Sequence, residues 1–192
     1  VGKETFDFTY KLYNKNVELI AEKDFELGKK LKNMPSPLKL LKTEYTVENT
    51  SCGLMTLAIG SDREKYYLHS NGQVLHEGGV LAREWFDDNI SEYIVYGYGF
   101  GYHILELMEL DDSISIDVYE GDINVIQLAC AFTDMSKILM SDRVHLIYDP
   151  SFNRLKAAVN NLNDEIKYVI HYPSLRNIKD ISIRESLEDY FV

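Results

Sequence analysis

Gly97, Gly99 and Gly101 stand at every second position between the apolar run Tyr93–Tyr96 and a helical pattern that continues to Leu107. An apolar strand, a glycine turn and a helix start in that order are the opening unit of a parallel α/β sheet. Such a turn crowds backbone N–H groups at the carboxyl edge of the sheet, where a nucleotide-like ligand would sit. Two readings of the turn stay open on the residues alone: a ligand cradle, or a close-packed bend with nothing bound.

The rest of the chain is consistent with that unit. Apolar residues from Leu12 to Leu31 are loosely helical and read as one helix, from about Asn16, ended by the prolines of Asn33-Met-Pro35-Ser-Pro37. The runs Tyr45–Val47, Leu54–Ile59 and Lys65–Leu68 read as short strands of an antiparallel hairpin or meander. A helix is expected from about Leu75 to Phe86. Beyond it strands and helices alternate: strands at Tyr93–Tyr96, Ile114–Glu120, Val144–Tyr148 and Ile166–His171, helices at Gly101–Leu110, Val125–Phe132, Phe152–Leu162 and Ile181–Tyr190. Right-handed crossovers then predict a Rossmann-like, mostly parallel sheet with helices on both faces, preceded by an N-terminal helix and a small antiparallel β element. The expected division is residues 1–72 for the N-terminal helix and β region and 73–192 for the α/β domain.

Charge narrows the partners. Residues 84–136 hold twelve Asp and Glu and no Lys or Arg, and the net charge is −11. A nucleic-acid partner is not expected, because phosphate binding needs basic side chains. Lys29, Lys30 and Lys32 read as a solvated helix face. No apolar run approaches the ~20 residues a membrane helix needs, so no membrane partner and a cytoplasmic location are expected. The start, Val-Gly-Lys-Glu, has no initiator Met and no leader pattern, which suggests an excised segment of a longer chain. Cys52 and Cys130 lack metal spacing and read as two packed, reduced thiols. Fourteen tyrosines would suit a homo-oligomer without specifying one.

The candidate ligand site is Gly97, Gly99, Gly101 and Glu120. Tyr102 stands where the dinucleotide fingerprint wants its third glycine, and the bases a pyrophosphate prefers are missing, which counts against NAD or FAD. The spacing looks more like the first motif of S-adenosylmethionine-dependent methyltransferases. Glu120, ending the next strand, stands where an acid holds ribose hydroxyls, and the cofactor's net positive charge suits an acidic neighbourhood. Against this, Val95 stands where those enzymes carry an acid, and His171-Tyr-Pro-Ser174 only loosely echoes their later motif. A solvated strand end is the plainer reading of Glu120. His69-Ser70 with His76-Glu77 offers no third ligand at metal spacing, so turn capping by Ser70 and solvated histidines are expected, with no metal site. His103 reads as a partly exposed helix residue within reach of a ligand. Asp149 could touch adenine, or Asp149 or Ser151 could cap the helix that follows. No catalytic residue can be named.

Leu68-His69-Ser70 with Glu77, the Tyr93–Leu107 unit with its Gly101-Tyr-His103, Val118-Tyr-Glu120 and Arg143-Val-His-Leu-Ile147 together resemble the N-terminal domain of the motility accessory factors. Those are bacterial proteins involved in glycosylating flagellin. Val74, Gly78 and Gly121 depart from that family's usual Pro, Ala and Pro. The resemblance covers roughly residues 16–175 and implies an accessory Rossmann-like domain, with sugar transfer carried out by further domains of a longer chain. It carries over no catalytic residue, only the glycine turn and Glu120 as a ligand cleft.

Overall fold

The computed structural model describes residues 3–190. It opens with helix α1 (Lys3–Lys23) and helix α2 (Phe25–Asn33), followed by a 3₁₀ turn over Pro37–Lys42. The single helix expected here is two, beginning well before Asn16. The break is Asp24, whose backbone is extended (φ −139°) and whose carboxylate accepts the Leu27 N–H at 3.0 Å. A side chain that caps the next helix competes with continuing the previous one. α2 folds back on α1 closely enough that a Cβ on Gly28 would lie 2.4 Å from that of Ala21.

Strands β1 (Tyr45–Asn49), β2 (Met55–Ile59) and β3 (Tyr66–Tyr67) form the small antiparallel sheet, in that order. Helix α3 (Val74–Trp85) leads into the alternating part: β4 (Glu92–Tyr96), α4 (Tyr102–Leu110), β5 (Ser115–Glu120), α5 (Ile123–Phe132), a short α6 (Ser136–Leu139), β6 (Val144–Tyr148), α7 (Asn153–Val159), β7 (Ile166–Ile170), a one-turn α8 (Tyr172–Arg176) and α9 (Ile181–Glu188). β4 to β7 are all parallel and lie in the order β6-β5-β4-β7. The α/β architecture expected from the alternation is the one observed. Short α6, α8 and the 3₁₀ turn escape pattern reading, because a single turn gives no periodicity to detect.

Both faces of the sheet carry packed cores, as in parallel sheets, while the edge strand β6 is only half-buried and leaves His145 exposed. On one face Tyr93, Val95, Ile116, Val118 and Val144 join a core with α1, α3, α4 and α5. On the other, Ile94, Tyr96, Tyr119, Tyr168 and Ile170 pack with Phe152, Leu155, Val159 and Leu187. The first core continues into the small sheet through Leu57, Ile59 and Leu68. Asn16, fully buried, ties α1 to the end of α5. Its Nδ2 donates to the carbonyls of Cys130 (2.8 Å) and Thr133 (2.7 Å), and its Oδ1 accepts the Met135 N–H at 3.2 Å. Of the two thiols expected to be packed, Cys130 is buried but Cys52 is exposed, on the turn between β1 and β2; both are free. No described helix is long and apolar enough to cross a membrane.

Candidate functional site

From β4 the chain proceeds to β5 on one side, and β7 pairs on the other. The carboxyl ends of β4 and β7 therefore flank the point where strand order reverses, the place where open α/β sheets hold ligands. The glycine turn lies there. Gly97, Gly99 and Gly101 all have positive φ, at 100°, 54° and 79°, and Gly101 is the left-handed residue that starts α4.

The turn's amides find acceptors within the protein. Gly97 N–H donates to the Tyr119 carbonyl and Gly101 N–H to that of Tyr98, both at 2.8 Å. Oε1 of Glu120 accepts from Tyr98 N–H at 3.3 Å and Gly99 N–H at 3.4 Å, while Oε2 accepts from Asp122 N–H at 3.1 Å. Phe100 N–H donates to Nε2 of His69 at 2.9 Å. Glu120 is thus no solvated strand end. It is 1% exposed, and burial, with the nearby Asp122 charge, pushes its carboxyl up to about 7. A ligand taking the turn's amides would have to displace Glu120 or His69.

The side of the turn that lacks Cβ atoms is filled as well. A Cβ on Gly99 would stand 2.6 Å from Nε2 of His69, and one on Gly97 would stand 2.4 Å from the Cβ of Ser174. The groups that close on the turn are His69, which follows β3; His103, in the first turn of α4; and His171, which follows β7 and caps α8. None is more than 2% exposed, so His69 is not solvated and His103 is not the partly exposed residue its helix position suggested. The two partners of His69 that local spacing does not offer come from two other segments of the fold. The rings stack: His103 on His171 with centroids 4.3 Å apart and planes 8° apart, and His69 against His171 at 5.1 Å. Trp85 meets His103 edge-on at 5.7 Å.

Hydrogen bonds assign the protons. His103 Nε2 donates to the Gly97 carbonyl at 2.8 Å, so its Nδ1 carries a lone pair, and among the described residues that atom has no hydrogen-bond partner. His69 accepts at Nε2 from Phe100 and carries its proton on Nδ1. His171 Nδ1 lies 2.6 Å from the Ser174 hydroxyl. Burial lowers the imidazole pKa of all three, His103 to about 4, and the His103 imidazole further lowers its two neighbours. At neutral pH the cluster is uncharged, and neutral imidazoles are ligand-competent.

A cleft of about 510 Å³ reaches the edge of this cluster; Leu68, His69, His171 and Pro173 line it together with Glu77 and Glu84. Ser70 has the turn role expected of it, its Oγ accepting Gly72 N–H at 3.0 Å, while Glu77 accepts the Ser70 N–H with both oxygens. His76 is exposed, away from the cluster. Asp149 accepts the Leu155 N–H at 2.8 Å and Ser151 the Asn153 N–H at 3.4 Å, so both serve the start of α7.

No protein-family profile matches the sequence, and no curated protein is similar enough to count as a relative. Among solved structures, the chain is similar to the MAf glycosyltransferase from Magnetospirillum magneticum AMB-1. The TM-score is 0.62 at 13% identity, over 95% of this chain and 34% of that one. At that identity the likeness is one of fold. The chain spans about a third of the length of that protein.

Proposed function

We propose that this chain is the N-terminal accessory domain of a motility accessory factor-type glycosylation protein, a scaffold whose sugar-transfer chemistry belongs to further domains. One observation carries the reading: 95% of the chain follows the fold of about one third of a MAf glycosyltransferase. The motif resemblance of Leu68-His69-Ser70 and Gly101-Tyr-His103 points the same way, and those motifs supply His69 and His103 to the cluster around the glycine turn. The inward hydrogen bonding of that turn favours a structural role over a nucleotide cradle.

The direct test is removal of the segment encoding this chain from its source cell, with intact mass measurement of flagellin. Loss of the glycan mass is the expected result, and an unchanged mass would overturn the reading. In vitro, a melting series with S-adenosylmethionine, S-adenosylhomocysteine, NAD and cytidine nucleotides should show no shift. A ligand at a hundred times its Kd adds ~2.7 kcal/mol, or roughly 5–10 °C for a chain of this size. A shift of that order with the adenosyl compounds would instead make the chain a methyltransferase-like cofactor binder.

A further inference from the structure

We propose that His69, His103 and His171 form a binding site for a divalent transition-metal ion of the zinc class. Each ring offers a nitrogen, and the three nitrogens lie within 4.8 Å of one another. A tetrahedral zinc site with metal–nitrogen bonds of ~2.0–2.1 Å places its ligand atoms about 3.3 Å apart, so the cluster needs a contraction of an ångström or so. Three neutral imidazoles are the donor set that zinc, cobalt and nickel prefer over magnesium or calcium.

The hydrogen bonding around His103 leaves one ring nitrogen available to a metal ion. Its Nε2–H is held by a backbone carbonyl, as the outer nitrogen of a ligating histidine usually is. Its Nδ1 lone pair is buried and, among the described residues, has no hydrogen-bond partner. His171 presents Nδ1 to a serine hydroxyl, which can rotate away. His69 is the adjustable member: it already gives its Nε2 lone pair to the Phe100 amide. Ligation by all three therefore loosens that hydrogen bond and ties metal uptake to the backbone of the glycine turn. Because a metal lies in the plane of each imidazole it binds, the parallel pair His103 and His171 must also unstack, one ring turning about its χ2. The cleft lined by His69 and His171 is the access route. Glu77 and Glu84 on its wall favour a cation, and its solvent supplies a fourth ligand.

The test is a titration of the untagged, chelator-stripped chain with Co(II), followed by absorption, with Zn(II) as competitor. The expected result is one equivalent bound with the spectrum of a nitrogen-ligated, tetrahedral ion, displaced by zinc and accompanied by a rise in melting temperature. The Phe100 amide resonance should shift on saturation. His103→Ala and His171→Ala should weaken binding at least a hundredfold, while His76→Ala and His145→Ala, both at exposed positions, should leave it unchanged. Absence of stoichiometric uptake, or loss of uptake in the surface variants, would overturn the site. Should the cluster variants fail to fold, the wild-type cobalt spectrum and the Phe100 resonance decide, and absence of either refutes the proposal.

Discussion

Replacing Glu120 with Gln tests the buried carboxyl that ties the glycine turn to the end of β5. Its folded-state pKa of about 7 compares with an ordinary 4.5. A carboxyl raised in the native state binds a proton more tightly folded than unfolded. Its contribution is therefore fully present below pH 4.5 and is lost as pH rises through 7. At 1.36 kcal/mol per unit, the fraction lost between pH 5 and pH 8 is about 2.5 kcal/mol. Glutamine does not titrate, so Glu120→Gln should lack this slope, whatever its fixed cost from presenting an NH₂ group to one of the amides. The buried histidines titrate alike in both proteins and drop out of the difference. Melting temperatures measured from pH 5 to 8 in chelator-containing buffer should show the variant gaining on the wild type by roughly 5–10 °C across the range, at ~2–4 °C per kcal/mol. Parallel curves would refute the reasoning, because they would mean that the carboxyl titrates as a solvated group.

Two further predictions follow from close packing. Gly99→Ala places a methyl group 2.6 Å from the His69 ring at a φ of 54° and should cost about 2–4 kcal/mol; melting within 2 °C of wild type would show that the ring can move aside freely. Asn16→Ala leaves the carbonyls of Cys130 and Thr133 and the Met135 amide without their partner. It should destabilise by about 2–4 kcal/mol, read as a lower midpoint in urea unfolding, and an unchanged midpoint would show that water replaces the side chain.

Much of the sheet is legible because apolar runs bounded by turn residues leave a plain mark. Tyr93–Tyr96 is a buried apolar run closed by Gly97, and Val144–Tyr148 is a mostly apolar run, broken by the exposed His145 and closed by Asp149-Pro150; both strands lie within a residue of where those runs predict. In sequence the two N-terminal helices look like one because Asp24 lies inside a continuous loose pattern. A capping aspartate and a surface aspartate look alike until the backbone around them is known. Glu120 and His103 look exposed in sequence for a related reason. Polar residues are taken as exposed by default, and only the fold shows that backbone amides surround the one and aromatic rings the other.

By itself the order of residues determined the α/β class, the small antiparallel appendage and the position of the glycine bend, since each depends on neighbours a few residues apart. The tertiary structure decided what the bend faces. His69, His103 and His171 sit after β3, in α4 and after β7, segments far apart along the chain, so no local spacing announces them. Their convergence depends on strand order, with β7 returning beside β4. Strand order is a global outcome of crossover handedness and core packing, which periodicity along the chain does not encode.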